Sequence, residues 1–209
     1  MKKNLLINYW NTYYKSNKKI KESSFARFVI KKIDKNSKII DIGCGNGRDS
    51  FFFSKNDLKV TAVDISKNAI KNNSLKSNKN LKFLKFDIGK NTMSKKFDVI
   101  YCRFFVHAIS EKNENKLITL IKKIKKKNTL AFFEFRNHKD RMFQKKKIKK
   151  HNDVIEFEKG HFRRIIDPKK FIKKISSKIK LKVIYKKSAK NLSIVKNDNP
   201  NLSRIIFRF

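Results

Sequence analysis

Short apolar runs alternate along this chain with stretches whose apolar residues recur at helical spacing. Ile39 to Ile42, Leu58 to Asp64, Leu81 to Phe86, Phe97 to Cys102 and Thr129 to Phe135 read as five strands, most of them apolar enough for burial on both faces. Between them, Arg48 to Lys55 turns Phe51, Phe52 and Phe53 toward a core. Ser66 caps a segment with Ala69 and Ile70 inward, and Ser110 opens one with Leu117, Ile118, Ile121 and Ile124 inward. Upstream, Ser23 or Ser24 caps a helix whose Phe25, Phe28, Val29 and Ile33 follow i, i+3, i+4, i+8. Alternating strands and helices predict an α/β fold, a doubly wound and mostly parallel sheet. Ligands of such sheets bind beyond the carboxyl ends of the strands.

The periodicity divides the chain without breaking it into domains. Residues 1–209 read as one domain, with N-terminal helices over 1–35, a core over 36–135, a charged insertion over 136–167 and a closing unit over 168–209. The insertion shows little periodicity before Val154 to Phe157. Asp167-Pro168 then starts a helix in the favoured N-cap and N1 arrangement, and Leu181 to Tyr185 and Leu202 to Phe209 supply two more strands, seven in all. At the other end, Tyr9, Trp10, Tyr13 and Tyr14 form i,i+4 aromatic pairs on one side of a helix. That helix either packs on the domain or roofs a binding cleft.

Three of the five glycines stand within Gly43-Cys44-Gly45-Asn46-Gly47, directly after the first strand. Glycine admits positive φ and close approach to the backbone, and a strand, a glycine turn and a helix N-terminus together offer N–H groups to an anion. The dinucleotide fingerprint G-x-G-x-x-G would need glycine at 48, where the chain has Arg48. The pattern is instead D-x-G-x-G-x-G from Asp41, with Asp64 closing the second strand and Asp87 following the third. A carboxylate at a strand end beside a nucleoside site accepts hydrogen bonds from both ribose hydroxyls.

From about Ile39 to Phe135 these motifs resemble class I S-adenosylmethionine-dependent methyltransferases. The resemblance implies a Rossmann-like seven-stranded sheet with an antiparallel last strand, and S-adenosyl-L-methionine as cofactor. It implies a cofactor site of Asp41, Gly43, Cys44, Gly45, Asn46, Gly47, Asp64, Ile65, Ser66, Asp87, Ile88 and Arg103, with Asp87 at the adenine amino group and Ile65 and Ile88 flanking the ring. Y-W-x-x-Y-Y at the start, R-F-F-V-H-A-I from Arg103 and H-F-R-R from His161 are similar to a narrower bacterial group. Its members are small-molecule methyltransferases of the surface-polysaccharide-associated and tellurite-resistance type. Tyr101-Cys102-Arg103-Phe104 stands where amino-group methyltransferases carry N-P-P-Y. Cys102 closes a buried strand, which does not suit a nucleophilic thiol.

Methyl transfer from a sulfonium is an in-line displacement that asks mainly for proximity and a desolvated pocket, and a hydroxyl acceptor also needs a base. His107 is the first candidate base and His161 the second. Trp10, Tyr14, Glu134, Arg136, Arg163 and Arg164 are candidate acceptor-binding residues, and the arginines suit a phosphate or carboxylate. The expected reaction is methylation of a small anionic acceptor, such as a sugar phosphate, at oxygen.

Composition adds one question. The formal charge is +38, with 55 Lys and Arg against 17 Asp and Glu. Lysines run along the whole chain, and abundant Lys, Asn, Ile and Phe share A/T-rich codons, so the charge reads as solvated surface. The alternatives are an RNA or protein methyltransferase, for which the charge argues, and a non-catalytic binding module on the same fold. Cys44 and Cys102 lack metal or redox spacing, and no run is long enough to span a bilayer, so a cytoplasmic enzyme without a metal is expected.

Overall fold

The structure, a computed structural model, describes residues 3–15, 21–144, 150–151, 154–194 and 198–209, with 150, 151 and 158 described through their backbone alone. Five parallel strands form most of the main sheet: β1 (Lys38–Ile42), β2 (Lys59–Asp64), β3 (Leu81–Lys85), β4 (Phe97–Arg103) and β5 (Lys125–Arg136). The last two strands, β9 (Lys182–Ala189) and β10 (Leu202–Arg208), complete a seven-stranded sheet of order β3-β2-β1-β4-β5-β10-β9. β10 runs antiparallel to both of its neighbours. The order reverses at β1/β4, and the carboxyl ends of these two strands open one crevice.

Helices cover both faces. α2 (Ser24–Ile30) and α3 (Arg48–Lys55) bring Phe25, Val29 and Phe53 against Ile39, Val60 and Tyr101. On the opposite face, α5 (Glu111–Ile124) and α6 (Pro168–Ser176) bury Leu117, Ile121, Phe171 and Ile175 against Phe133, Ile205 and Phe207. α4 (Lys67–Ser74) lies beside β3, and α1 (Lys3–Tyr13) lies over α4. Among the described residues no helix is long and apolar enough to cross a membrane.

The helix starts follow the sequence. Ser110 Oγ accepts from Asn113 N–H, Ser66 Oγ from Ala69 N–H, and the Asp167 carboxylate from the N–H groups of Lys169 and Lys170. Of the two candidate serines, Ser23 caps α2, while the Ser24 hydroxyl turns away to Leu192 O and Ser193.

Two regions differ from the sequence expectation. β5 begins at Lys125 rather than Thr129, because Asn128 takes positive φ (68°) and Thr129 Oγ1 bridges Lys126 N–H and Phe97 O. Asparagine tolerates that backbone region, so the strand passes an irregularity instead of stopping. The insertion contains a second, three-stranded antiparallel sheet of β6 (Lys150–His151), β7 (Val154–Glu158) and β8 (His161–Arg164). Residues 145–149 and 152–153 of the insertion, and 1–2 and 16–20 of the N-terminal segment, lie outside the described residues.

One buried carboxylate fastens α2 and α3 to the sheet. Asp49 accepts from Ser23 N–H (2.7 Å), Ser23 Oγ–H (2.8 Å) and Tyr101 Oη–H (2.7 Å). Asp49→Ala leaves those donors unpaired in the interior and should lower stability by about 3 kcal/mol in urea unfolding. Ser24→Ala, at a half-buried hydroxyl, should cost about 1 kcal/mol or less.

Candidate active site

The glycine turn leaves β1 with Gly43, Gly45 and Gly47 all at positive φ (78°, 54° and 73°). Two of them are required for different reasons. A Cβ at Gly45 would lie 2.3 Å from the Tyr14 hydroxyl, so glycine lets Tyr14 pack directly on the turn. A Cβ at Gly47 would meet Phe51 and Phe83 at 2.9 Å, so this glycine serves the packing of α3. The Gly45 peptide is held on both sides. Its N–H donates to Asp64 Oδ2 (2.9 Å), and its carbonyl accepts from the buried Asn73 Nδ2 (2.8 Å). Asp64 Oδ1 accepts in turn from Ser66 N–H (2.9 Å). Burial holds the Asp64 carboxyl above its ordinary range, against the pull of those N–H groups.

A cleft of about 430 Å³ opens beyond these strand ends. Its floor is Asp41, Gly43, Cys44, Gly45, Asn46, Asp64, Ile65 and Ile88, and its roof is the aromatic face of α1 with Tyr9, Trp10, Tyr13 and Tyr14. Asn11 and Tyr14 fasten the roof to α4. Ser66 Oγ–H donates to Asn11 Oδ1, Asn68 to Asn11 O, and Asn72 to Tyr14 O. Burial and the Asp64 charge push the Tyr14 phenol well up, so it stays neutral above Gly45. The side wall comes from the 3₁₀ turn Val106–Ala108 and from β8, where His161 stacks on Tyr9 (4.6 Å between centroids) and Arg163 lies over Trp10 (5.2 Å).

Arg103, His107, Arg136, His161 and Arg163 also line the cleft, brought together from β4, the turn after it, β5 and β8. Five residues expected in the site lie outside its lining. Gly47 faces the core. The Ser66 hydroxyl caps α4. The Asp87 carboxylate accepts from Gly89 N–H and pairs with Lys3 (2.5 Å) instead of pointing to a ligand. Glu134 is fully buried between Arg103 (2.9 Å) and Arg204 (2.7 Å), its cross-strand neighbours on β4 and β10, and accepts also from Ser193. Arg164 pairs with Glu114 (2.8 Å).

Charge pairing separates the remaining arginines. Arg136 holds Asp140 (2.9 Å) and Asp198 (2.5 Å), which neutralises it. Arg163 has no carboxylate partner among the described residues, and its Nη1 donates to Phe162 O (2.9 Å). Burial lowers its pKa to about 10, which leaves it charged at neutral pH. His107 is buried, and its Nδ1 accepts from Arg136 N–H (3.2 Å). Burial and then the nearby Arg163 and Arg136 hold its pKa well below the ordinary value, so the neutral ring carries its proton on Nε2. That proton makes His107 a donor toward the cleft.

Sequence reasoning missed Asn113, Phe104, Phe105 and Met142 in the lining, and Asn73 behind the turn. Asn113 lies three residues after its cap Ser110, a spacing that signals only a helix start. Phe105 fills the space a Cβ at Gly43 would need, at 2.4 Å.

Asp41, at the floor, is pushed up to about 7 by burial, against the Ser50 hydroxyl donating at 2.5 Å. Unfolded, an aspartate titrates near 3.9. Between about 4 and 7 the folded chain therefore binds a proton that the unfolded chain lacks, and stability falls as pH rises through that window. Asp41→Asn keeps an acceptor for Ser50 and removes the titration. Relative to wild type it should gain up to about 1.4 kcal/mol per pH unit across the window and nothing further above it, in urea unfolding at several pH values.

A family model described as "Methyltransferase domain" matches residues 40–131. No curated protein matches the sequence. Among solved structures, an S-adenosylmethionine-dependent methyltransferase from Methanosarcina mazei superposes with TM-score 0.72 at 16% identity, covering 87% of this chain and 96% of that one. A TehB-like S-adenosylmethionine-dependent methyltransferase from Corynebacterium glutamicum gives TM-score 0.62 at 15% identity, with coverage of 96% and 94%. The N-methyltransferase NodS from Bradyrhizobium japonicum, solved with S-adenosylhomocysteine, gives 0.69 at 12% identity, covering 98% of each chain. Residues 40–131 of this chain thus match a methyltransferase-domain model, and the chain has the Rossmann-like fold of these structures.

Proposed function

We propose that this protein transfers the methyl group of S-adenosyl-L-methionine to a small anionic acceptor, at oxygen. The observation that carries the cofactor is the Asp64 carboxylate. It closes β2, lines the cleft and accepts the N–H groups of Gly45 and Ser66, beside the glycine turn after β1. The ribose hydroxyls bind Asp64, and the adenine lies between Ile65 and Ile88 with the Asn113 amide at its edge. The methionine half runs along Gly43 to Asn46 toward Asp41, and the sulfonium meets the aromatic roof, whose ring faces attract a cation.

The acceptor enters under Trp10 and Tyr14 with its anionic group on Arg163, the unpaired cation of the wall. Such a group spreads its charge over oxygens that a guanidinium matches with two parallel bonds. His107 then donates through Nε2 to the acceptor and orients it. To act as a base it would take a proton on Nδ1 and lose the Arg136 N–H bond, so the base is His161. The acceptor oxygen attacks the methyl carbon, the carbon–sulfur bond breaks to neutral S-adenosylhomocysteine, and the acceptor proton passes to His161. Closure by α1 excludes water and favours a small acceptor over a polymer.

Two measurements test this. Titration calorimetry should show S-adenosylhomocysteine binding, weakened by roughly 1.5–3 kcal/mol in Asp64→Ala through loss of its hydrogen bonds to a charged group. No binding by wild type would remove the reading. With methyl-labelled cofactor and fractionated anionic metabolites, Arg163→Ala should raise the acceptor KM by about 10-fold or more and leave cofactor affinity unchanged.

A further inference from the structure

Beside the cofactor cleft lies a second cavity of about 300 Å³, between α2 and the segment at 191–194. Arg48, Arg103 and Ile194 line both spaces, so they form the partition between them. The two guanidiniums of this partition are poorly satisfied. Arg103 gives its Nε to Glu134 and lies over Phe104 (4.2 Å), but its Nη2 is buried without a hydrogen-bond partner. A buried charged donor left unpaired is costly. Arg48 has Asp49 as its nearest carboxylate, at 3.7 Å and beyond hydrogen-bond reach. Both Asp49 oxygens are already engaged by Ser23 and Tyr101. Burial lowers the Arg48 pKa, and the next cause is repulsion from Arg103.

Charge in this corner does not balance. Three guanidiniums, Arg48, Arg103 and Arg204, face two carboxylates, Glu134 and Asp49, and Glu134 is shared by Arg103 and Arg204. Arg27, at the rim of the cavity, is already paired with Glu22. The titrating Asp41 is tied to Ser50 on the cleft side. An oxyanion on the partition would accept from Arg48, lie beside the Arg103 guanidinium with its unpartnered Nη2 and relieve the repulsion between the two.

We propose that Arg48 and Arg103 form an oxyanion subsite for a carboxylate or phosphate of the acceptor, reached through the second cavity. This rests on the methyltransferase reading and adds to Arg163 a second anchor on the other side of the sulfonium. The acceptor it selects carries two anionic groups, or one long enough to span from Arg163 to the partition. The same chemistry has another source, the methionine carboxylate of the cofactor itself.

Inorganic phosphate is the probe, titrated by calorimetry into the full chain saturated with S-adenosylhomocysteine. Phosphate should bind the loaded protein, and Arg48→Gln should weaken that binding about 10-fold while S-adenosylhomocysteine affinity stays within about 2-fold. Arg48→Lys, which keeps charge but loses the fork, should fall between the two. Failure of loaded wild type to bind phosphate, or equal binding by Arg48→Gln, overturns the subsite. If Arg48→Gln instead weakens S-adenosylhomocysteine and spares 5′-methylthioadenosine, which lacks the amino-acid half, the partition serves the cofactor and the acceptor assignment falls. Absence of S-adenosylhomocysteine binding in wild type would strike the methyltransferase reading. Phosphate binding to the unloaded protein, lost in Arg48→Gln, would still support the oxyanion site.

Discussion

The site depends on one peptide unit. Gly45 is gripped through its N–H by Asp64 and through its carbonyl by Asn73, so the end of β2 and the body of α4 together set the shape of a turn that belongs to β1 and α3. A turn of three positive-φ glycines has many conformations open to it in the unfolded chain, and these two hydrogen bonds help to select one of them. The same carboxylate that fixes the turn also lines the cleft.

What the sequence revealed follows from how far each signal reaches. Strand ends, caps and the glycine turn are local, and Asp41, Asp64, Ile65 and Ile88 all fall on the cleft. Asp87, Glu134 and Arg164 had equally plausible positions, but their fates are decided by Lys3, Arg204 and Glu114, far away in the chain. Glu134 is the clearest case. Sequence spacing puts it at a strand end, while the antiparallel insertion of β10 sets Arg204 directly beside it. The role of His107 was hidden for a related reason, since its tautomer is fixed by the main chain of β5. The small sheet β6–β8 was read only around Val154 to Phe157, because its strands are short and their partners lie within the insertion.

The large positive charge takes on meaning when exposure is considered. Lysines dominate the surface, and those near acids make half-exposed pairs such as Lys126 with Asp98 and Lys174 with Glu111. The interior cations are arginines, and most have carboxylates of their own. Net charge alone says little about a partner; the few interior guanidiniums without full compensation say more.

The two ends of the roof helix are held by unlike forces. Its N-terminal end is pinned by Lys3 to Asp87, an ion pair with a lysine 40% exposed, whereas its C-terminal end is tied by the neutral side chains of Asn11, Asn68 and Asn72. Dissolved ions screen the first and barely touch the second. Rising ionic strength therefore weakens the Lys3 tie, while the asparagine ties and the stacking of Tyr9 on His161 keep α1 over the cleft.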